Sequence, residues 1–253
     1  MSDPVIRIVD LYKSFAGFKV LDGLSLDIER GLINFIIGRS GGGKSVLLKH
    51  IIGLMKPDRG HIYLDGQDMV AQNDQTLNQL RKRFGMLFQE AALFDSMTVG
   101  ENVAFPLKEH TKLKTKDISR LVSEKLALVG LTGVENMMPS SISGGMRKRV
   151  GLARAMILSP EILLFDEPTT GLDPIMCDQV DELILTTQRQ LGVTCIVISH
   201  DMAATLRIAH KVAMIYKGKI VCHGTPAEIK ALDNPVVRQF LRGEAEGPMD
   251  LGE

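Results

Sequence analysis

Residues 32–51 read LINFIIGRSGGGKSVLLKHI. The opening apolar run has the length of a strand and predicts one that is buried in a parallel sheet. After a glycine-rich segment, the apolar residues from Val46 onward recur at helical spacing. The stretch therefore predicts a strand, a tight loop and a helix in direct succession, which is the repeating unit of an α/β sheet.

The loop of this unit, GRSGGGKS at 38–45, matches the G-x-x-x-x-G-K-[ST] pattern of a phosphate-binding P-loop. Glycines let backbone N–H groups turn toward a phosphate, and the helix N-terminus adds positive partial charge. Lys44 is predicted to reach the β- and γ-phosphates of ATP, and Ser45 to bind Mg²⁺. Val46 stands where most nucleotide-binding relatives have Ser or Thr, so one hydroxyl contact to phosphate is missing. The candidate ATP-binding residues here are Gly38, Ser40, Gly41, Gly43, Lys44, Ser45 and Val46.

Two adjacent carboxylates end a second apolar run, ILLFDE at 162–167. Open α/β sheets bind ligands at the carboxyl ends of their strands, where Asp166 and Glu167 are predicted to lie. Asp166 is predicted to hold Mg²⁺, directly or through water. Glu167 is predicted to orient and polarise the attacking water, because phosphoryl transfer depends on positioning and charge stabilisation. Taken alone, the pair is equally typical of a solvated strand end, and the upstream P-loop favours catalysis.

Two further polar residues follow predicted strands. His200 comes after VTCIVIS and is predicted to hydrogen-bond the γ-phosphate and the water. Gln89 comes after FGMLF and is predicted to link metal coordination to movement of the helices that follow. Neither is informative alone, since a single His is more often structural. Together with the P-loop and the carboxylates, these two residues describe half of an ATP site. SISGGM at 141–146 has no role inside that pocket. A second copy of the chain could bring this segment to the pocket across a dimer interface.

Composition narrows the class of protein. At 253 residues and 45% hydrophobic, the chain can bury a full α/β core. Thirty basic and thirty acidic residues give no net charge, which argues against a nucleic-acid partner. The N-terminus is charged where a secretory segment would be apolar, and no apolar run reaches membrane-spanning length, so we expect a soluble cytosolic chain. The three cysteines lack metal-ligand spacing and receive no function.

Alternating strand and helix patterns predict an α/β P-loop NTPase fold with a mostly parallel central sheet, an antiparallel β subdomain and an inserted α-helical subdomain. Within a single domain spanning 1–253, the predicted nucleotide-binding core comprises 1–89 and 159–232. The helical subdomain is predicted at 90–158 and a C-terminal tail at 233–253.

The tail divides into two predicted parts. Val236, Val237, Phe240 and Leu241 share one helical face, so this segment is expected to pack on its own core or across a dimer. Beyond it, GEAEGPMDLGE is acidic and lacks basic residues. We expect that part to be mobile without a partner, and truncation after Gly243 to be nearly silent.

With SISGGM before a helix, TTGLD (169–173) after ILLFDE and a strand-final His200, the chain resembles the ATP-binding cassette (ABC) ATPases over nearly all its length. The resemblance implies that Ser143, Gly144 and Gly145 contact the γ-phosphate of ATP held by the opposite subunit's P-loop. It also implies that Gly171, Leu172 and Asp173 communicate between the two sites. Phe15 resembles the aromatic that stacks on adenine, with Val20 beside it; an ordinary edge-strand aromatic is the alternative for Phe15.

Finer features resemble the ATPase subunits of Mce-type lipid transporters, including the Mla phospholipid system of Gram-negative envelopes. They are Met146, where most ABC ATPases have Gln, PLKEHT (106–111) and VRQFL (237–241). The alternative for Met146 is a neutral substitution at a position that tolerates change. The resemblance implies a homodimer with ATP and Mg²⁺, beneath permease subunits at the cytoplasmic side of the inner membrane. Some such systems add an Mce-type substrate-binding protein, a small STAS-domain subunit and a tail that wraps the partner ATPase.

The sequence thus predicts the ATP-hydrolysing subunit of a membrane transporter that carries phospholipid or a related lipid. One alternative is an ABC ATPase for another substrate, such as a polar amino acid or a metal ion. The other is a soluble ABC ATPase that remodels ribosomes or DNA. Tandem cassettes, long coiled coils or basic arms would favour that second alternative, and the sequence contains none of them.

Overall fold

The computed structural model describes residues 3–249. They pack into two compact units. Unit 1 comprises the described residues up to Leu77 and those from Ile196 onward, and unit 2 comprises Asn78–Cys195.

The strands in chain order are β1 (Ile6–Phe15), β2 (Phe18–Ile28), β3 (Ile33–Ile37), β4 (Arg59–Leu64), β5 (Gln67–Asp68), β6 (Phe84–Leu87), β7 (Ile162–Asp166), β8 (Thr194–Ser199), β9 (Lys211–Tyr216) and β10 (Lys219–Gly224). The helices in chain order are α1 (Lys44–Ile51), α2 (Asp74–Arg81), α3 (Val99–His110), α4 (Thr115–Leu128), α5 (Gly144–Met156), α6 (Pro174–Leu191), α7 (Met202–Ile208), α8 (Pro226–Ala231) and α9 (Pro235–Arg242). Among the described residues, none of these helices has both the length and the apolar character needed to cross a bilayer.

Unit 1 begins with an antiparallel sheet in the order β2, β1, β4, β5. Ile6 of β1 lies opposite Ile28 of β2 and opposite Leu64 of β4. Burial alternates at the start of β1 and at the end of β2, which gives this part of the sheet one apolar face. The predicted antiparallel region is therefore confirmed.

The P-loop of unit 1 follows a parallel strand pair. β3 pairs in parallel with β9, which pairs in antiparallel with β10. All five residues of β3 are buried, as expected for a strand covered on both faces. The strand, loop and helix predicted from LINFIIGRSGGGKSVLLKHI are confirmed, with β3 leading into the loop and α1 beginning at Lys44.

Unit 2 combines a parallel strand pair with packed helices. Phe84 of β6 lies opposite Ile162 of β7, and α3, α4 and α5 pack against one another. Helix α5 also approaches β6 closely: a Cβ on Gly85 would lie 2.2 Å from the oxygen of Ala155, and one on Gly151 would lie 2.8 Å from Cδ1 of Leu87. Helices α3 to α5 fall inside the range predicted for the helical subdomain, and unit 2 extends beyond that range on both sides.

Candidate functional site

The shape of the P-loop is fixed by close backbone contacts within unit 1. Gly38 has a φ of 151°, and a Cβ at this residue would lie 2.5 Å from the backbone oxygen of Ile215. Gly43 has a φ of 96°, and its Cβ would lie 3.1 Å from Cγ1 of Val20. A side chain at Gly38 would collide with backbone, and one at Gly43 would be strained as well as crowded. Both glycines are therefore required by the local fold.

Lys44 is buried inside this loop. Its Nζ donates hydrogen bonds to the backbone oxygens of Gly38 at 2.8 Å and Arg39 at 3.0 Å. Ser45 is exposed, and Val46 is half-buried. A positive charge thus lies within the loop to which the sequence pattern assigns phosphate, so the residues present fit an anionic ligand.

An open cavity of about 730 Å³ in unit 1 has the P-loop as one wall. Gly38 and Ser40 line it together with His200, so the structure brings the predicted γ-phosphate sensor and the P-loop together. The space around Gly41 is open, because a Cβ at this residue would have no atom within 4 Å. The other wall is formed by the end of the described chain, including residues 239–244.

The hairpin between β1 and β2 carries two exposed aromatic rings. Phe15 is 43% exposed, and Phe18, its cross-strand partner, is 71% exposed. The Nζ of Lys13 lies 5.6 Å from the centroid of the Phe15 ring. Val20 of the same hairpin contacts Gly43 of the P-loop, so the exposed rings belong to an element that touches the phosphate loop. Such rings offer a surface on which a planar base can stack; the sequence analysis missed Phe18.

The two carboxylates of unit 2 end β7. Asp166 is its last residue, and Glu167 follows with a φ of 50°. This left-handed conformation costs a residue other than glycine about 1–3 kcal/mol and persists only where the surroundings impose it. Thr170 donates from Oγ1 to Oε2 of Glu167 at 3.4 Å and from its backbone N to the Glu167 oxygen at 3.3 Å. The loop after the strand therefore directs this side chain.

The donors predicted for Mg²⁺ are a hydroxyl, an amide and a carboxylate, from Ser45, Gln89 and Asp166. Within residues 3–249, no group of three or more His, Cys, Asp or Glu side chains forms a metal cage. Mg²⁺ commonly binds through one or two carboxylates and the substrate's phosphates rather than through such a cage. Each of these three residues therefore offers an oxygen of a type that suits an ion arriving with a nucleotide.

The SISGGM segment forms the N-terminus of α5 in unit 2. Ser143 is exposed and caps the helix, with its Oγ accepting a hydrogen bond from the N–H of Met146 at 3.2 Å. Gly145 lies beneath α6, since a Cβ there would lie 1.9 Å from Cε of Met176. A Cβ on Gly144 would meet only an ordinary contact at 3.7 Å. Ser143 thus marks an exposed helix N-terminus, whose backbone N–H groups favour an anion.

Asp173 has a local structural role that the sequence analysis missed. It caps α6, with Oδ1 accepting hydrogen bonds from the N–H groups of Ile175 and Met176, each at 3.0 Å. Pro174 occupies the first position of the helix. An Asp followed by Pro at a helix start is a recognisable capping signal, so this role was available from sequence.

Gln89 is exposed, and the segment after it is held by α5. The backbone is left-handed at Ala91, with a φ of 60°, and at Ala92, with a φ of 46°. Arg154 donates to the oxygen of Ala91 at 2.6 Å and to that of Ala92 at 2.8 Å. Burial lowers the pKa of this guanidinium. Arg154, which the sequence analysis missed, therefore fixes the path of the chain beyond Gln89.

The C-terminal helix α9 packs within unit 1, as predicted for part of the tail. Val237 is fully buried, and the other three predicted apolar residues are half-buried. Gln239 is 3% exposed although it is polar. Its burial, which the sequence analysis missed, is explained by the chain that follows the helix.

Beyond α9 the described chain folds back onto the helix. Gln239 donates from Nε2 to the oxygen of Glu244 at 3.2 Å, and its Oε1 accepts a hydrogen bond from the N–H of Met249 at 2.6 Å. Met249 is only 4% exposed. The prediction of a mobile segment is therefore wrong as far as Met249, because one buried amide holds both of its ends; residues 250–253 lie outside the described residues.

Comparison with known proteins decides the family. A family model described as ABC transporter matches residues 21–170. The intermembrane phospholipid transport system ATP-binding protein MlaF of Escherichia coli (strain K12) is 45% identical over 230 residues, which cover 91% of this chain and 86% of that protein. The chain belongs to the ABC transporter family.

Two further comparisons extend this result. The probable ribonucleotide transport ATP-binding protein mkl of Mycobacterium leprae (strain TN) is 43% identical over 248 residues, covering 98% of this chain and 72% of that protein. The dimeric structure of the ATP-binding cassette MJ0796, in a post-hydrolysis state with ADP and Pi, has a TM-score of 0.79 at 27% identity, covering 87% of this chain and 98% of that one. The predicted fold class is confirmed, and the chain is an ABC-type ATPase.

Truncation after Gly243 tests the fold-back of the tail. It removes both hydrogen-bond partners of the Gln239 amide and the buried Met249 side chain, and each lost hydrogen bond costs about 0.5–1.5 kcal/mol net once water reaches the amide. We expect the thermal unfolding midpoint to fall, measured by circular dichroism. The control Arg238→Ala removes an exposed ion pair between α9 and Asp233, which precedes the helix, and is expected to change the midpoint little. A truncated chain that melts like the full chain would restore the prediction of a free tail.

Proposed function

We propose that this chain is the ATP-hydrolysing subunit of a membrane transporter that moves phospholipid or a related lipid. The observation that carries the proposal is the 45% identity to MlaF over 91% of the chain, because that relative is named for an intermembrane phospholipid transport system. Met146 and the PLKEHT and VRQFL stretches support the same group, since they resemble the ATPase subunits of Mce-type lipid transporters.

Transport of a polar solute is the second candidate. The mycobacterial relative mkl, 43% identical, is named for probable ribonucleotide transport. Sequence identity alone does not separate the two cargoes, because both relatives match nearly the whole chain. In either case the permease, rather than the ATPase, contacts the cargo, so the membrane partner decides between them.

ATP is proposed to bind first through its phosphates. Backbone N–H groups at Ser40, Gly41 and Gly43 surround them, and Lys44 supplies the positive charge. Support comes from the buried Lys44 ammonium inside its loop and from the backbone crowding that requires glycine at Gly43. Val46 has no hydroxyl, so the backbone N–H groups and Lys44 must bind the phosphates without a side-chain contact from this position.

Adenine is proposed to stack on Phe15 beside Val20. The proposal is supported by the exposure of the Phe15 ring and by the contact between Val20 and Gly43. Stacking on a ring face accepts any planar base, so this contact contributes affinity and little discrimination.

Mg²⁺ is proposed to be held by Ser45 and Asp166, with Gln89 linking the metal to the segment that Arg154 holds. When bound, the ion neutralises charge on the phosphate oxygens. Ser45 and Asp166 would hold the ion beside the phosphates, and His200 is proposed to donate a hydrogen bond to the γ-phosphate. Its position in the wall of the P-loop cavity supports this role.

Glu167 is proposed as the general base that orients and polarises the attacking water. The left-handed backbone at Glu167 and the hydrogen bond from Thr170 support this role, because strain of this kind concentrates at functional sites. His200 would hold the same water from the phosphate side.

Two copies of the chain are proposed to share each ATP. Ser143, Gly144 and Gly145 would contact the γ-phosphate held by the partner's P-loop, and the exposed N-terminus of α5 supports this. The loop from Gly171 to Asp173 would communicate between the two sites. The dimeric state of the MJ0796 cassette, a relative of similar fold, also supports a homodimer.

The dimer is proposed to lie beneath permease subunits, at the cytoplasmic side of the inner membrane. An Mce-type substrate-binding protein and a small STAS-domain subunit are further proposed partners, both by analogy with the lipid-transport group. The fold-back at Gln239 gives the tail a partner within its own unit, which argues against a wrap around the neighbouring ATPase.

Glu167→Gln tests the general base. The variant keeps the size of the side chain and removes its basicity, so we expect ATP binding to persist while the hydrolysis rate falls by about 10² or more. Nucleotide binding and phosphate release are measured on the same samples. The control Glu182→Gln changes an exposed carboxylate of α6 and should hydrolyse ATP like the wild type. Wild-type turnover in Glu167→Gln would remove this residue from the reaction.

Copurification tests the cargo. The chain is isolated from its native membranes with the bound permease, and the complex is analysed for lipids and for nucleotides other than the ATPase's own. We expect phospholipid to be enriched relative to bulk membrane, and its transfer between vesicles to require ATP. Enrichment of a ribonucleotide with no ATP-dependent lipid transfer would favour the second candidate instead.

A further inference from the structure

Lys148 is a buried cation on α5, five residues beyond the start of the SGG sequence. It is 7% exposed, and its Nζ donates to the backbone oxygens of Pro168 and Thr170, the latter at 3.0 Å. Burial lowers the pKa of the ammonium, while Cys177 and Glu90 raise it. Burying a charge is costly unless strong acceptors compensate. The hydrogen bonds from Lys148 to this loop must therefore offset the cost of burying its ammonium.

The two carbonyls that accept hydrogen bonds from Lys148 belong to the loop that orients Glu167. Pro168 follows Glu167 directly, and Thr170 is the residue whose hydroxyl donates to the Glu167 carboxylate. The opposite side of this loop is held more weakly, by the Cys177 thiol at 3.6 Å from the oxygen of Thr169. Lys148 is thus the charged group that fixes the backbone on either side of Thr169.

We propose that Lys148 is a positioning residue for Glu167, holding the left-handed turn that aims this carboxylate and joining it to the helix that begins at Ser143. The ammonium does not touch the substrate in this role. It restrains two carbonyls, and through them the backbone of Glu167 and the hydroxyl of Thr170. The inference rests on the proposed role of Glu167 as the base.

Lys148 also links the two ATP sites of the proposed dimer. The N-terminus of α5 is proposed to contact the partner's ATP, whereas Glu167 acts on ATP held by its own chain. A direct hydrogen bond from α5 to the Glu167 loop therefore gives contact with one nucleotide an effect on hydrolysis of the other. Coupling of this kind requires that the loop and the helix move together, and the two hydrogen bonds that one ammonium donates to the loop impose this.

Lys148→Met tests the proposal, because it keeps the unbranched stem and removes the donors. A small misplacement of a catalytic group costs up to about 10²-fold in rate, so we expect kcat to fall by about 10- to 10²-fold. The KM for ATP should stay within about two-fold, since the P-loop is unchanged. The control Lys116→Met, an exposed lysine of α4, should leave both constants unchanged. A raised KM with unchanged kcat would overturn the proposal.

A double-mutant cycle separates positioning from general support of the fold. If Lys148 acts through Glu167, adding Lys148→Met to Glu167→Gln should change the residual rate by less than about two-fold and leave ATP-driven dimer formation intact. Additive losses, or a lost dimer, would show that Lys148 supports the fold or the helix N-terminus instead. If Lys148→Met does not fold, Lys148→Gln, which retains a shorter donor, is used in the same cycle with the same criteria. Wild-type hydrolysis in Glu167→Gln alone would refute the base. Additive losses on top of a Glu167→Gln variant whose residual rate is low but measurable would refute only the role of Lys148.

Discussion

Two cations on one helix, the buried Lys148 and the half-buried Arg154, hold two strained loops of unit 2. Arg154 binds the carbonyls of Ala91 and Ala92, and Lys148 binds those on either side of Thr169. Each loop contains left-handed residues other than glycine, which by themselves would relax to other conformations. Charge-assisted hydrogen bonds in a desolvated site are strong enough to impose such geometry. The arrangement of this unit's candidate residues therefore depends on α5.

Unit 1 adds a second physical means of fixing its P-loop. Close backbone packing acts there together with a buried charge: the loop passes so near to the β9 strand and the first hairpin that side chains are excluded at Gly38 and Gly43. The fully buried β3 delivers the chain into that loop, and the buried Lys44 closes it. Rigid backbone N–H groups and one internal cation are what binding of a polyphosphate requires.

Much of this could be predicted from the sequence because hydrophobic periodicity and glycine placement are local signals. The apolar run before Gly38 determined β3, and the run before Asp166 determined β7. Lys148, Arg154 and Gln239 could not be predicted in the same way, since polar residues on a helix usually face solvent. The backbone groups that they satisfy lie 62 and 63 residues away for Arg154, 20 and 22 for Lys148, and 5 and 10 for Gln239, and hydrophobic periodicity does not record such pairings.

The central claim is that one chain's helix N-terminus completes the ATP site of another, and mixed variants test it most directly. Lys44→Ala disables the P-loop, and Gly144→Asp places a negative charge at the α5 N-terminus at a residue with room for a side chain. Each variant is expected to be inactive alone. When differently tagged chains are mixed and heterodimers isolated, one intact P-loop meets one intact helix N-terminus, so hydrolysis should return to about half the wild-type rate per dimer, by simple counting of sites. Heterodimers that form but remain inactive would contradict a site shared between chains.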